Sequence, residues 1–273
     1  MSKTSHHYFR KGLIILGILV LLASAYSGGA YLYVLGHLRD IQPVTEPSQA
    51  AAPTTWRPEV FSYIHQTNER QRMLTKSRRY QGFEIDTFTE PGKREIRVAH
   101  DKRQFPNQMT LQAVFATPKD PQHAYFWIDM KTSLTQQQID DVKEIARVSG
   151  VPLQNLIFEP PYTDDAQAKL LVKNGLNVIL FITGFEKDMT PQQIAELVAK
   201  TQKRIDQIKP LAISSGMGIY PYLKAYFPNY YKAICYNTTK RPSLKKYFMR
   251  RELPKHDPTV IMLLNDEYNW DNF

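Results

Sequence analysis

The chain has 273 residues, 42% hydrophobic and 22% charged, a composition that is typical of a globular protein and excludes general disorder. Its formal net charge is +9, and Cys235 is its only cysteine, which excludes an intrachain disulfide and a cysteine metal cluster. The positive charge is spread along the chain without any nucleic-acid-binding motif, so we expect no nucleic-acid partner.

The N-terminal residues predict a membrane anchor behind a short basic tail. Residues 1–11 hold three basic residues and no acidic one, and residues 12–36 are uncharged. The uncharged run would form ~37 Å of helix, enough to cross the ~30 Å hydrocarbon core of a bilayer. The basic flank predicts a single pass through the cytoplasmic membrane, with the N-terminus in the cytoplasm and the rest outside. If the cell is Gram-negative, the outside compartment is the periplasm. A cleaved signal peptide is the alternative, because small residues follow an apolar core at 23–25.

Residues 37–57 predict a linker, because they are rich in Pro, Ala, Thr and Ser and show neither the helical nor the strand period. The linker would hold the following domain near the bilayer. We expect that domain to occupy residues 58–273.

Strand-like runs alternate with helical patterns throughout the predicted domain. The predicted strands are 60–65, 82–88, 94–100, 124–131, 155–160, 177–183, 211–215, 232–237 and 259–265. This alternation predicts parallel strands with crossover helices, and eight or so repeats favour a closed (β/α)8 TIM-type barrel behind the transmembrane helix. A doubly wound open sheet is the alternative, disfavoured because no Gly-rich phosphate loop follows an early strand.

Helix boundaries are marked in the same region. Thr135 and Thr190 each precede a glutamine by three residues, a spacing that predicts capping boxes. Gly150 and Gly175 are positioned to end helices. Residues 245–256 are basic and contain aromatic residues. For them we expect a solvated loop near the end of the barrel, and a loop that contacts lipid headgroups is the alternative.

Three carboxylates occur on two of the predicted strands, at positions that would face the same side of the sheet. Glu84 and Asp86 are two residues apart on one strand, and Asp129 and Lys131 are two residues apart at the carboxyl-terminal end of a later strand. Active sites of parallel barrels lie at this end of the strands. A divalent cation would compensate carboxylates gathered there, and all-oxygen ligands favour Mg²⁺ or Ca²⁺ over zinc. We call Glu84, Asp86 and Asp129 the acidic cluster.

His65 and His100 end two further predicted strands. A structural role is the alternative for each of these groups taken alone: a hydrogen-bonded histidine, a solvent-facing acid, or an ion pair of Lys131 with Asp129. Their joint placement at strand ends favours a functional site.

The order of these elements resembles the glycerophosphodiester phosphodiesterase family and its relatives, the sphingomyelinase D toxins. The matching elements are His65, Gly82-Phe83-Glu84-Ile85-Asp86, Val98-Ala99-His100-Asp101 and Ile128-Asp129-Met130-Lys131. The resemblance implies a metal-dependent phosphodiesterase on a barrel of the phospholipase C-like kind, acting on phospholipid headgroups or glycerophosphodiesters. It implies that the acidic cluster binds the cation, that His65 and His100 form the general acid and base, and that Lys131 helps to neutralise the phosphate.

The chain departs from the family pattern after its first histidine. The family has His-Arg-Gly, whereas this chain has His65 followed by Gln-Thr-Asn68, so the expected phosphate-contacting arginine is missing and Asn68 is a candidate substitute. The third acid, Asp129, is an aspartate as in the toxins. The missing arginine motivates a second hypothesis, a catalytically lapsed barrel that serves as an envelope binding or scaffolding module.

Overall fold

The computed structural model describes residues 3–38, 40–48, 62–65, 67–100, 109–235 and 244–264. The chain divides into two compact units. One contains the first and the last helix, and the other contains the remaining helices and all of the described strands.

The first unit is built from helix α1 (Lys3–Leu38) and helix α8 (Leu244–His256). Within α1, the segment Ile15–Leu38 has the length and apolar composition needed to cross a bilayer, properties that a signal sequence shares. The two helices are in contact. The loop predicted for residues 245–256 is therefore wrong. Leucine, lysine, arginine and methionine dominate this stretch and are good helix formers. Packing on α1 supplies the further stability that a short helix needs.

Eight parallel strands of the second unit close into a barrel. They are β1 (Ser62–Ile64), β2 (Gly82–Thr89), β4 (Tyr125–Met130), β5 (Leu156–Glu159), β6 (Asn177–Phe181), β7 (Ala212–Gly216), β8 (Tyr231–Cys235) and β9 (Val260–Leu264). Strand β1 pairs with both β2 and β9, which closes the sheet. The predicted TIM-type barrel is confirmed, and an open sheet is excluded. The predicted strand ends at 60–61, 236–237 and 265 lie outside the described residues.

The remaining helices lie between barrel strands along the chain. They are α2 (Arg70–Lys76), α3 (Leu111–Phe115), α4 (Gln136–Ser149), α5 (Asp165–Lys173), α6 (Pro191–Ile208) and α7 (Tyr220–Tyr226). Both predicted capping boxes are present, at Thr135 and Thr190. Gly150 ends α4 in the left-handed conformation, with φ of 74°, where other residues are strained.

A ninth strand, β3 (Ile96–Val98), pairs antiparallel with the end of β2 and follows a turn at Pro91-Gly92. The backbone N–H of Ala99, just past β3, donates to the carbonyl oxygen of Asp86 at 2.9 Å. This hairpin therefore brings the chain back beside Asp86 immediately before His100.

The side chains inside the barrel form successive layers along its axis, because every second residue of a strand faces inward. Its apolar core consists mainly of Tyr63, Tyr125, Trp127, Ile157, Ile179, Ala212, Ala233, Ile261 and Leu263. On β4, Asp129 follows Trp127 by two residues on the same face. The polar level at the carboxyl-terminal ends of β2 and β4 is thus supported by a packed apolar level beneath it.

The predicted linker begins too early, because residues 37–38 still belong to α1. Residues 40–48, the described part of the linker beyond α1, pack on α7. The backbone N–H of Val44 donates to the hydroxyl of Tyr226 at 2.9 Å, and that of Ser48 donates to the Tyr226 carbonyl oxygen at 2.8 Å. Asp40 pairs with Lys224 at 2.7 Å. These residues therefore belong to the barrel unit, while residues 49–57 lie outside the described part of the chain.

Lys232 on β8 is a buried lysine at the amino-terminal end of the barrel, with 1% of its surface exposed. Its Nζ donates to the carbonyl oxygens of Pro228 and Tyr230, at 3.2 and 2.9 Å, and to Oγ1 of Thr259 at 2.9 Å.

We expect Lys232→Met to lower the free energy of unfolding by about 1–3 kcal/mol, because buried acceptors lose their donor. Chemical denaturation of the full chain measures this, and an unchanged midpoint would contradict it.

Candidate active site

The acidic cluster forms where β2 and β4 run side by side. Asp86 and Asp129 are directly opposite in the parallel pairing, and Glu84 lies one inward-facing position earlier on β2. One carboxylate oxygen from each residue lies within 4.8 Å of the others. Glu84 and Asp86 are each only 1% exposed. The three side chains therefore converge at one point, with the hard oxygen donors that Mg²⁺ and Ca²⁺ require.

Lys131, immediately after β4, links two members of this cluster. Its Nζ lies 2.7 Å from Oδ1 of Asp86 and also forms an ion pair with Asp129. Burial alone would lower the pKa of Lys131, but the two carboxylates outweigh burial and raise it above its usual value. Burial raises the pKa of Asp129, although Lys131 opposes that shift. Three carboxylates and one ammonium leave a formal charge of −2, which one divalent cation would neutralise.

His65 follows β1, and its backbone is anchored on both sides. Its N–H donates to the carbonyl oxygen of Leu264 at 2.8 Å, and its own carbonyl accepts from Nη2 of Arg72 at 3.0 Å. Burial lowers the pKa of His65, and the nearby charges of Arg72, Lys131 and His100 add to this, whereas Asp86 opposes it. The imidazole is therefore neutral near pH 7 and able to accept a proton.

His100 is exposed and lies one residue past the hydrogen bond that joins Ala99 to Asp86. All six residues singled out in the sequence thus follow or lie on β1 to β4. The structure brings the acidic cluster and Lys131 into direct contact range, and it places both histidines close enough to interact electrostatically. Their catalytic roles stay predictions.

The side-chain amide of Asn68 is hydrogen-bonded to Asp86 at both of its ends. Its Nδ2 donates to Oδ2 of Asp86 at 2.7 Å, and its Oδ1 accepts from the Asp86 backbone N–H at 2.9 Å. Both ends of the amide therefore orient the carboxylate. We assign Asn68 a positioning role, which differs from the expectation that it substitutes for the missing arginine.

Glu159, at the end of β5, is a fourth carboxylate at this level, and it is not among the site residues predicted from the sequence. It lies directly opposite Asp129 in the β4–β5 pairing. Nε1 of Trp127 donates to its Oε2 at 2.7 Å, and Oγ of Ser214 donates to its Oε1 at 3.0 Å. The alternation of Ile157 and Glu159 on one inward-facing side was the available signal.

Burial and the neighbouring charge of Asp129 raise the pKa of Glu159 from 4.5 to about 8. In the folded chain this carboxyl holds its proton between those two values, whereas in the unfolded chain it releases it. Stability linked to Glu159 is therefore present below pH 4.5 and is lost as pH rises towards 8.

We expect Glu159→Gln to remove this dependence, because the amide cannot ionise. In chelator, thermal unfolding of the full chain between pH 5 and 9 should show a shallower decline for the variant than for the original chain. Parallel curves would contradict the assignment. Glu196→Gln, an exposed change on α6, is the matched control.

Comparison with known proteins gives similarity at the level of structure. No family model and no curated protein sequence matches the chain. The barrel is similar to the glycerophosphodiester phosphodiesterase of Thermotoga maritima, with a TM-score of 0.50 and 14% identity over 78% of this chain and 96% of that one. It is also similar to an Oleispira antarctica phosphodiesterase in complex with the product sn-glycerol-3-phosphate, with a TM-score of 0.51 and 12% identity over 77% and 93%.

These similarities define the class of fold as a (β/α)8 barrel. More particularly, the chain has the fold of the glycerophosphodiester phosphodiesterases, as its sequence motifs predict.

Proposed function

We propose that the protein is a membrane-anchored, metal-dependent phosphodiesterase that acts on glycerophosphodiesters or phospholipid headgroups. The observation that carries the proposal is the convergence of the acidic cluster and Lys131 at the carboxyl-terminal end of this barrel. The fold supports it, because one neighbour with this fold is complexed with sn-glycerol-3-phosphate.

The acidic cluster would hold the cation, and its donor set fits Mg²⁺ or Ca²⁺. The bound cation would stabilise negative charge on the nonbridging phosphate oxygens. Asn68 keeps Asp86 oriented through two hydrogen bonds. Lys131 adds a second positive charge beside Asp86 and Asp129.

The two histidines would divide the proton transfers. His65 is held neutral by burial, so it would take the proton from the attacking hydroxyl, either water or a hydroxyl of the substrate. His100, which is exposed, would deliver a proton to the leaving oxygen. Arg72 supports this arrangement, since its guanidinium fixes the His65 backbone.

Helix α1 would anchor this barrel in the cytoplasmic membrane, with the N-terminus in the cytoplasm and the barrel outside. The basic residues before the apolar segment support this orientation. The mass of the protein recovered from membranes tests whether α1 is retained as an anchor. An intact N-terminus supports an anchor, whereas loss of about 25 residues indicates a cleaved signal peptide.

A lapsed barrel is the second candidate, and the specific observation that favours it is the absence of the arginine after His65. The test is an assay of the full chain in detergent against glycerophosphodiesters, lysophospholipids and sphingolipids. Product analysis by ³¹P NMR should reveal a phosphomonoester or a cyclic phosphate when Mg²⁺ or Ca²⁺ is present. Calorimetric binding of a diester that needs no cation and gives no product would instead identify a binding module.

A further inference from the structure

We propose that α8 is a lipid-binding element that contacts the anionic headgroups of the membrane in which α1 is anchored. The proposal rests on the membrane anchoring proposed above and is independent of the chemistry of the barrel. It concerns the unit formed by α1 and α8, which lies outside the candidate active site.

The level of α8 relative to a bilayer follows from α1. Tyr33 lies 22 residues after Lys11, the last charged residue before the apolar segment. At 1.5 Å per residue this is ~33 Å of helix, close to the ~30 Å thickness of the hydrocarbon core. Tyr31 and Tyr33 are therefore expected at the second membrane interface, where tyrosines are enriched.

Helix α8 contacts α1 at these two tyrosines. Nζ of Lys245 lies 3.6 Å from the centre of the Tyr33 ring, and the ring of Phe248 meets Tyr31 edge-on with 5.2 Å between centroids. A lysine ammonium is stable at the headgroup level and costly in hydrocarbon. Both contacts thus place α8 beside the lipid headgroups.

The charge of α8 suits anionic headgroups. The helix carries five basic residues and one acidic residue, a formal charge of +4 with histidine neutral. The acid, Glu252, is turned inward and pairs with Arg251 and Lys255, whose side chains stay 58% and 56% exposed. Basic residues next to a membrane span attract anionic lipids. Tyr247 is also exposed and offers an aromatic ring at the same level.

Because α8 lies between two barrel strands in the chain, its contact with lipid would also attach the barrel to the membrane. The chain leaves the barrel after β8, forms α8 and returns to the barrel at β9. Headgroup binding by α8 would therefore add a second, charge-dependent membrane attachment to the one provided by α1.

The test uses the full chain with Cys235→Ala and Tyr247→Cys, labelled with a fluorophore at position 247. The chain is inserted into vesicles of phosphatidylcholine alone or with phosphatidylglycerol, both containing a lipid with a nitroxide on its headgroup. We expect strong quenching in the anionic vesicles, loss of that quenching in high salt, and weak quenching in the neutral vesicles. Equal quenching in both vesicles, or quenching that salt does not change, would overturn the proposal.

Two charge variants sharpen the result. The first variant should abolish the preference for anionic vesicles. It changes four basic residues of α8 to glutamine: Lys245, Arg250, Arg251 and Lys255. The matched control removes four exposed lysines from α5 and α6 of the barrel, Lys169, Lys173, Lys200 and Lys203, and should keep the preference. Equal losses in both variants would show a nonspecific charge effect and overturn the role of α8.

Diester cleavage measured on the same vesicles separates this proposal from the proposed activity. Cleavage without anionic quenching refutes the lipid contact alone, and anionic quenching without cleavage refutes the phosphodiesterase alone. If the chain is released by an alkaline wash, the anchor fails and the proposal fails with it.

Discussion

Replacing Asp86 with asparagine should lower kcat/KM for diester cleavage by roughly a thousandfold, since a ligated cation contributes several kcal/mol to charge stabilisation. Asp86 is the central residue of the site: it belongs to the acidic cluster, pairs with Lys131 and is oriented by Asn68. The amide keeps the shape of the side chain and removes its charge. Adding Mg²⁺ or Ca²⁺ should raise the melting temperature of the original chain and leave that of the variant unchanged.

Asp206→Asn is the matched control for this change, because Asp206 is an exposed aspartate on α6. It should keep both the activity and the thermal shift. If Asp86→Asn retained cation-dependent stabilisation and full turnover, the acidic cluster would not be the metal site.

Alanine at either His65 or His100 should reduce turnover by about 10²- to 10⁴-fold, the range for loss of a general acid or base. The two variants should differ with the leaving group. A nitrophenyl diester needs no proton on its leaving oxygen, so it should restore much of the rate to His100→Ala and little to His65→Ala. Initial rates for natural and nitrophenyl diesters measure the difference.

His123→Ala controls for general effects of removing an imidazole, because His123 is exposed and pairs with Asp120 at 2.8 Å. Recovery in His65→Ala instead of His100→Ala would reverse the two roles. Full activity of both variants with the natural diester would refute acid–base catalysis by this pair.

The barrel was predictable because its strands are short, apolar and flanked by helices with clear boundaries. The β4 sequence YFWIDM is β-branched and aromatic, and the capping box at Thr135 fixes where the next helix begins. Side-chain alternation then places Glu84, Asp86 and Asp129 on the inner face without further information. The acidic cluster is thus a direct consequence of strand register.

Other features depend on contacts between distant segments. Asn68 lies 18 residues before Asp86, and only the fold shows that its amide binds that carboxylate at both ends. Residues 245–256 show no clear apolar stripe, so the helix they form became evident only through its packing on α1. Glu159 resembles a solvent-facing acid until Trp127 and Ser214 are placed beside it.

The metal dependence of this site is measured by the initial rate of glycerophosphodiester cleavage by the full chain as Mg²⁺ or Ca²⁺ is added back after chelation. We expect no cleavage in chelator, a saturable rise in rate with one of these cations, and no rise for Asp86→Asn. Cleavage that persists undiminished in chelator, or a rise that Asp86→Asn shares with the original chain, would contradict this expectation.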